Sequence, residues 1–113
     1  YHPKFSRNFL WEPWDLIPKN GRALISPIYS NCFERGGGNP IDGKKSRIQK
    51  WFDRLNDLRR TIDYLETRKD IDTQSLAFLG LCWGGLVGPQ ISPYEERIKT
   101  LILVSGAIYI PIA

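Results

Sequence analysis

Three short runs of apolar residues stand out along the chain, and each predicts a β-strand. The runs cover Ala23 to Ile28, Leu76 to Leu81 and Leu101 to Val104. Within each run the apolar residues are continuous rather than alternating, which is typical of strands covered on both faces of a parallel sheet. The pattern therefore predicts a layered α/β core with about three strands.

A helical periodicity separates the first two runs. Ser46, with Gln49 three residues later, forms a capping-box pattern that predicts the start of this helix. From there an amphipathic helix of about five turns is expected, because apolar side chains recur every three or four residues at Ile48, Trp51, Phe52, Leu55, Leu58, Ile62 and Leu65. Strand, helix and strand together predict a right-handed crossover unit.

Two further segments complete the expected organisation. Between the second and third runs, the segment from Gly84 to Gln90 predicts a short helix that Pro89 ends or kinks. Before the first run, an aromatic-rich segment predicts another short helix, in which Trp11 and Trp14 serve core or interface packing rather than ligand binding. The predicted order from the first strand onward is β-α-β-α-β.

Length and composition indicate one globular domain or a part of one. The chain has 113 residues, of which 42% are hydrophobic and 25% charged, so a disordered chain is not expected. It contains no methionine, and we expect the sequence to be cut from a longer protein. Residues 1–113 are therefore interpreted as a partial domain completed by the remainder of a parent chain or by an oligomeric partner.

The net charge of +4 does not predict a nucleic-acid partner. The densest basic cluster, Lys44 to Arg47 with Lys50, is interpreted as a solvated loop and helix start, with phosphate or nucleic-acid binding as the weaker alternative. Glycines 36–38 lack the Lys-Ser/Thr pair of a phosphate-binding loop. The longest apolar run, Leu101 to Ala113, is too short to cross a bilayer, so no membrane partner is expected either.

Two cysteines, Cys32 and Cys82, are fifty positions apart, with no CxxC pair and no neighbouring histidine. A metal site is not predicted, and no cofactor is expected. Reduced thiols in the cytoplasm are the expectation, although a single disulfide stays open as an alternative. That disulfide would use Cys82, which the following motif needs as a free thiol.

The segment from Gly80 to Gly85 predicts a nucleophile elbow. It directly follows the predicted second strand and precedes a helix, and Cys82 occupies the nucleophile position of its Gly-x-Cys-x-Gly-Gly pattern. Gly80, Gly84 and Gly85 are the expected structural glycines of the tight turn. The backbone N–H of Trp83 is the expected oxyanion donor, and the helix start favours a thiolate. A buried cysteine needed only for packing is the alternative.

From Leu16 to Gly106 the chain resembles α/β-hydrolases. The segments Asp57 to Leu65 and Asp70 to Asp72 are similar to the helix and loop before the nucleophile, and the motif around Cys82 is similar to that of dienelactone hydrolases. Gly21 to Leu24, with Pro27, Tyr29, Glu34 and Arg35, resembles hydrolase-like domains appended to some bacterial serine/threonine kinases. The resemblance implies hydrolysis or transfer of an acyl group from a small-molecule substrate.

The remaining catalytic groups depart from that pattern. In the family an acid and then a histidine follow the nucleophile, whereas the single histidine here is His2 and no aspartate follows Asp72. A second oxyanion donor normally comes from a loop after an earlier strand. We therefore expect the isolated chain to be inactive, with a non-catalytic binding or regulatory module as the alternative function.

Overall fold

The computed structural model of the chain describes residues 16–30 and 45–106. The chain divides into two compact units, Tyr1–Lys45 and Ser46–Ala113. In the first unit, α1 spans Leu16–Lys19 and ends in a turn where the Asn20 side chain donates to the Leu16 carbonyl at 2.6 Å. The second unit contains α2 (Arg47–Glu66), β1 (Leu76–Leu81), α3 (Trp83–Ile91), a 3-10 turn (Ser92–Tyr94) and β2 (Ile98–Val104).

The prediction of a strand over residues 23–28 is wrong. The structure assigns no regular secondary structure to residues 22–29, and Leu24 and Ile25 are about two-fifths exposed, at 43% and 42%. A strand exists only when a neighbouring strand accepts and donates its backbone hydrogen bonds, and the sheet among the described residues consists of β1 and β2 alone. Consequently α2 does not connect two strands of one sheet in the described part of the chain.

Helix α2 follows the predicted periodicity closely. The Gln49 N–H donates to the Ser46 hydroxyl at 3.2 Å, which is half of the expected capping box. The Gln49 side chain completes no return bond to Ser46 and instead donates to Asp53 at 3.2 Å. The apolar stripe is buried only in its later part, at Leu55, Leu58, Ile62 and Leu65, whereas Ile48 is 69% exposed.

Strands β1 and β2 form a parallel pair joined through α3. Their register runs from Ala77 opposite Thr100 to Leu81 opposite Val104, with an irregularity next to Leu76. Val87 and Ile91 of α3 add to the buried core that α2 supplies. A mixed α/β class is therefore confirmed for the described residues, with two parallel strands in place of about three.

Pro89, which was predicted to end or kink this helix, lies inside α3, two residues before its last residue, Ile91. Proline has no N–H to donate to the carbonyl four residues earlier, which is that of Gly85. The helix continues for only two residues beyond the proline before the chain enters the 3-10 turn. No helix among the described residues combines the length and apolar character needed to span a bilayer.

Candidate functional site

The junction between β1 and α3 consists of one residue, Cys82. Its backbone has φ 51° and ψ −106°, a combination that residues with a side chain rarely adopt. Two hydrogen bonds hold it: the Cys82 N–H donates to the Val104 carbonyl at 2.9 Å, and the Leu86 N–H donates to the Cys82 carbonyl at 3.1 Å. The end of the neighbouring strand and the first turn of α3 thus impose this conformation together.

This conformation leaves the Cys82 thiol on the surface at the start of a helix. The side chain is exposed, is not part of a disulfide and makes no capping hydrogen bond to α3. Trp83 is the first residue of α3, and the N–H groups in the first turn of a helix have no acceptor within that helix. An exposed thiol therefore lies beside backbone donors and the positive end of a helix dipole.

Three of the glycines around this turn have different steric environments. A Cβ added at Gly80 would collide with the carbonyl of Gly84, and one added at Gly85 would lie 2.7 Å from the Cα of Gly106. At Gly84 an added Cβ would meet no heavy atom within 4 Å outside the backbone of its own helix. Close approach of backbone segments therefore requires glycine at Gly80 and Gly85 but not at Gly84.

Phe78 packs beneath the same helix. A Cβ at Gly88 would lie 2.5 Å from Cε1 of the Phe78 ring, so the ring from β1 occupies the space that a side chain at Gly88 would fill. Gly88 and Val87 are both buried. The helix thus lies close to the sheet because glycines face the strands.

Arg54 lies next to the turn, although no pattern in the sequence predicts it there. Its guanidinium carbon lies 4.8 Å from the centroid of the Trp83 ring, a cation–π contact between α2 and the residue after the cysteine. Trp83 remains 45% exposed. No local sequence signal indicates this contact, because 29 positions separate the two residues.

The carboxylates that follow Cys82 do not supply an obvious catalytic acid. Glu95 is only 5% exposed and accepts hydrogen bonds from Arg97, which hold the pKa of the Glu95 carboxyl below its ordinary value. A carboxylate that is already paired with Arg97 stabilises the fold and is not free to orient a catalytic histidine. Glu96 is exposed.

The carboxylates before β1 are engaged in local structure. Asp72 accepts from the Ser75 hydroxyl at 2.8 Å and from the Gln74 N–H at 3.0 Å, and these bonds lower the pKa of the Asp72 carboxyl. Arg68 donates two hydrogen bonds to Asp70, which lower the pKa of that carboxyl. The segment from Asp70 to Asp72, whose sequence resembles a loop of the hydrolase family, therefore forms part of a turn that leads into β1.

Several predicted residues fall outside the described part of the chain. They include the only histidine, His2, the second cysteine, Cys32, and the glycines at 36–38, together with Trp11, Trp14 and Lys44. Among the residues that are described, no group of three or more His, Cys, Asp or Glu side chains is arranged to hold a metal ion.

Comparison of the chain with protein-family models, with curated proteins and with solved structures gave no match. The assignment of a function thus depends on the geometry around Cys82.

Proposed function

We propose that the chain carries the nucleophile segment of an α/β-hydrolase-type site, which hydrolyses esters or thioesters or transfers their acyl groups. The observation that carries the proposal is the backbone of Cys82, with φ 51° and ψ −106° between a parallel strand and a helix. A strained residue that exposes its side chain at a strand-to-helix turn is the arrangement of a nucleophile elbow.

In the proposed reaction the Cys82 sulfur attacks the acyl carbon, and the carbonyl electrons move to its oxygen. The N–H of Trp83 donates to this oxyanion, since it belongs to the first turn of α3. Collapse of the intermediate breaks the bond to the alcohol or thiol leaving group, which departs with the proton that the cysteine lost. Water or a second acceptor then takes the acyl group from the thioester.

A general base is still required for efficient turnover. The described residues contain no histidine, and Glu95 is occupied by Arg97. In this proposal the acid and base come from other parts of the site, and the part of the chain that the structure describes supplies the nucleophile and one oxyanion donor. Acylation of Cys82 is therefore expected to be faster than deacylation.

The same observation supports a second candidate, a non-catalytic binding or regulatory module in which the turn is retained only as architecture. Among the described residues no imidazole is available to activate the thiol. The two candidates differ in one property, the reactivity of Cys82. A merely architectural cysteine gains at most the about two- to fivefold in rate that the start of a helix supplies.

Acylation of single-cysteine variants separates these candidates. The variant Cys32→Ala retains only the thiol of Cys82, and the matched variant Cys82→Ala retains only that of Cys32. Each is mixed with p-nitrophenyl acetate or a phenyl thioacetate near neutral pH, and the acetylated fraction is followed by intact mass. We expect Cys82 to acylate at least about tenfold faster than glutathione, because a productive site adds oxyanion stabilisation by the Trp83 N–H to the about two- to fivefold that the helix start supplies in either candidate. A rate within about fivefold of that of glutathione would overturn the catalytic proposal.

A further inference from the structure

The first half of α2 forms an open hollow that none of the proposed chemistry uses. Its volume is about 470 Å³, within the usual size range of small-molecule sites. Seven residues line it, six from α2 and one from α3: Arg47, Ile48, Lys50, Trp51, Phe52, Arg54 and Gln90. This set, here called the α2 hollow, combines apolar surface with three cations.

Trp51 forms the floor of the α2 hollow, and three contacts hold its ring in place. Its indole N–H donates to the Gln90 carbonyl at 3.2 Å, and its ring makes edge-on contacts with Phe52 at 4.9 Å and with Tyr94 at 5.0 Å between centroids. Neighbouring apolar side chains stay accessible, since Ile48 is 69% and Phe52 47% exposed. A rigid aromatic floor with accessible apolar neighbours favours a flat apolar ligand.

The rim of the α2 hollow carries three positive charges. None of Arg47, Lys50 and Arg54 forms an ion pair with a carboxylate among the described residues. Asp53 also belongs to this part of α2, but it does not line the hollow and it accepts a hydrogen bond from Gln49. Three cations that pair with no carboxylate of the described residues favour an anion.

We propose that the α2 hollow binds a small amphiphilic anion, with an aromatic or other flat apolar body against Trp51 and Phe52 and its negative group toward the three cations. Arg54 links the hollow to the neighbouring turn, because its guanidinium also makes the cation–π contact with Trp83. Binding does not depend on Cys82 acting as a nucleophile. The inference therefore holds or fails independently of the acyl-transfer proposal.

Binding is tested with three probes of one shape: 2-naphthoate, the neutral 2-naphthalenemethanol and the cationic 2-naphthylmethylammonium. The full 113-residue chain carries Cys82→Ala, and binding is followed by NMR at the indole N–H of Trp51. We expect naphthoate to bind about tenfold more tightly than the alcohol, with the cation weakest, and to lose affinity as salt is raised. Equal affinity for the anion and the alcohol would overturn the proposal.

Matched charge variants test whether the anion binds at the α2 hollow. One carries Arg47→Gln, Lys50→Gln and Arg54→Gln, and the control carries Arg60→Gln, Lys69→Gln and Lys99→Gln, so that both lose three positive charges. Only the first is expected to lose the roughly tenfold preference for naphthoate. An equal loss of this preference in both variants would show a general charge effect and overturn the assignment of binding to the α2 hollow.

A second variant tests the apolar floor, and it also decides the matter if the triple variant does not fold. Phe52→Ser should weaken naphthoate binding at least about threefold without changing the dispersion of amide resonances. Unchanged affinity in this variant overturns the proposed orientation and the site. If an acidic peptide or a short oligonucleotide perturbs Trp51 while naphthoate does not, the small-ligand proposal is wrong.

Discussion

Arg97 forms a two-pronged ion pair with Glu95: Nε lies 2.7 Å from Oε1 and Nη2 lies 2.7 Å from Oε2. The third nitrogen, Nη1, donates to Asp63 at 2.7 Å and to Glu66 at 3.1 Å, both on α2. Arg59 of the same helix donates to the Tyr94 carbonyl at 2.7 Å. The segment that leads into β2 is thereby attached to the second half of α2.

Loss of the Glu95 charge should destabilise the fold. In Glu95→Gln the Arg97 guanidinium loses its nearly buried partner, and we expect the free energy of unfolding to fall by about 1–3 kcal/mol. Urea unfolding at pH 7 measures the change. The adjacent variant Glu96→Gln is the control, because Glu96 is exposed and a surface substitution should change stability by less than about 0.5 kcal/mol. Equal effects of the two substitutions would contradict the structural role of the pair.

Stability should also depend on pH through Glu95. Because hydrogen bonds from Arg97 lower the pKa of this carboxyl in the folded state, its contribution is complete above its unfolded pKa of about 4.3 and is lost as pH falls through the lower folded value. The difference in unfolding free energy between the unmodified chain and Glu95→Gln should therefore shrink with acidification below about pH 4. Asp70 and Asp72 titrate in both proteins, so their effects cancel. A difference that stays constant from pH 7 to pH 3 would refute this assignment.

Alanine substitutions at adjacent glycines should have opposite effects. Gly85→Ala places a Cβ 2.7 Å from the Cα of Gly106, and we expect a loss of about 1–3 kcal/mol from overpacking. Gly84→Ala meets open space and should gain up to about 1 kcal/mol, because alanine favours helix over glycine. Thermal unfolding of both variants decides the point, and a loss at Gly84 equal to that at Gly85 would count against the observed packing of α3.

Replacement of Cys82 separates backbone strain from thiol chemistry. Glycine accepts φ 51° with ψ −106° without steric cost, whereas alanine retains the strain. Cys82→Gly should therefore be more stable than Cys82→Ala by about 1 kcal/mol, the lower end of what such a conformation costs. Urea unfolding gives the comparison. If the alanine variant is as stable as the glycine variant, the turn does not hold residue 82 in a strained conformation.

Local sequence signals predicted the elements of the second unit well. Ser46 was identified as the start of α2, and β1 begins and ends at the predicted residues, Leu76 and Leu81. The turn at Cys82 was also expected, since a glycine-rich segment follows a strand and precedes a helix. These features depend on capping, periodicity and backbone freedom, which involve residues a few positions apart.

The tertiary structure decided the rest. Residues 23–28 contain four apolar side chains besides Ser26 and Pro27, yet they form no strand, because a strand needs a partner that its own sequence does not specify. The contact of Arg54 with Trp83 and the ion pairs of Arg97 with α2 join residues about thirty positions apart. By itself, then, the sequence determined where α2, α3 and β1 form and where the cysteine turn lies. Which apolar run joins the sheet and which charges meet depended on packing between distant segments, which local pattern does not encode.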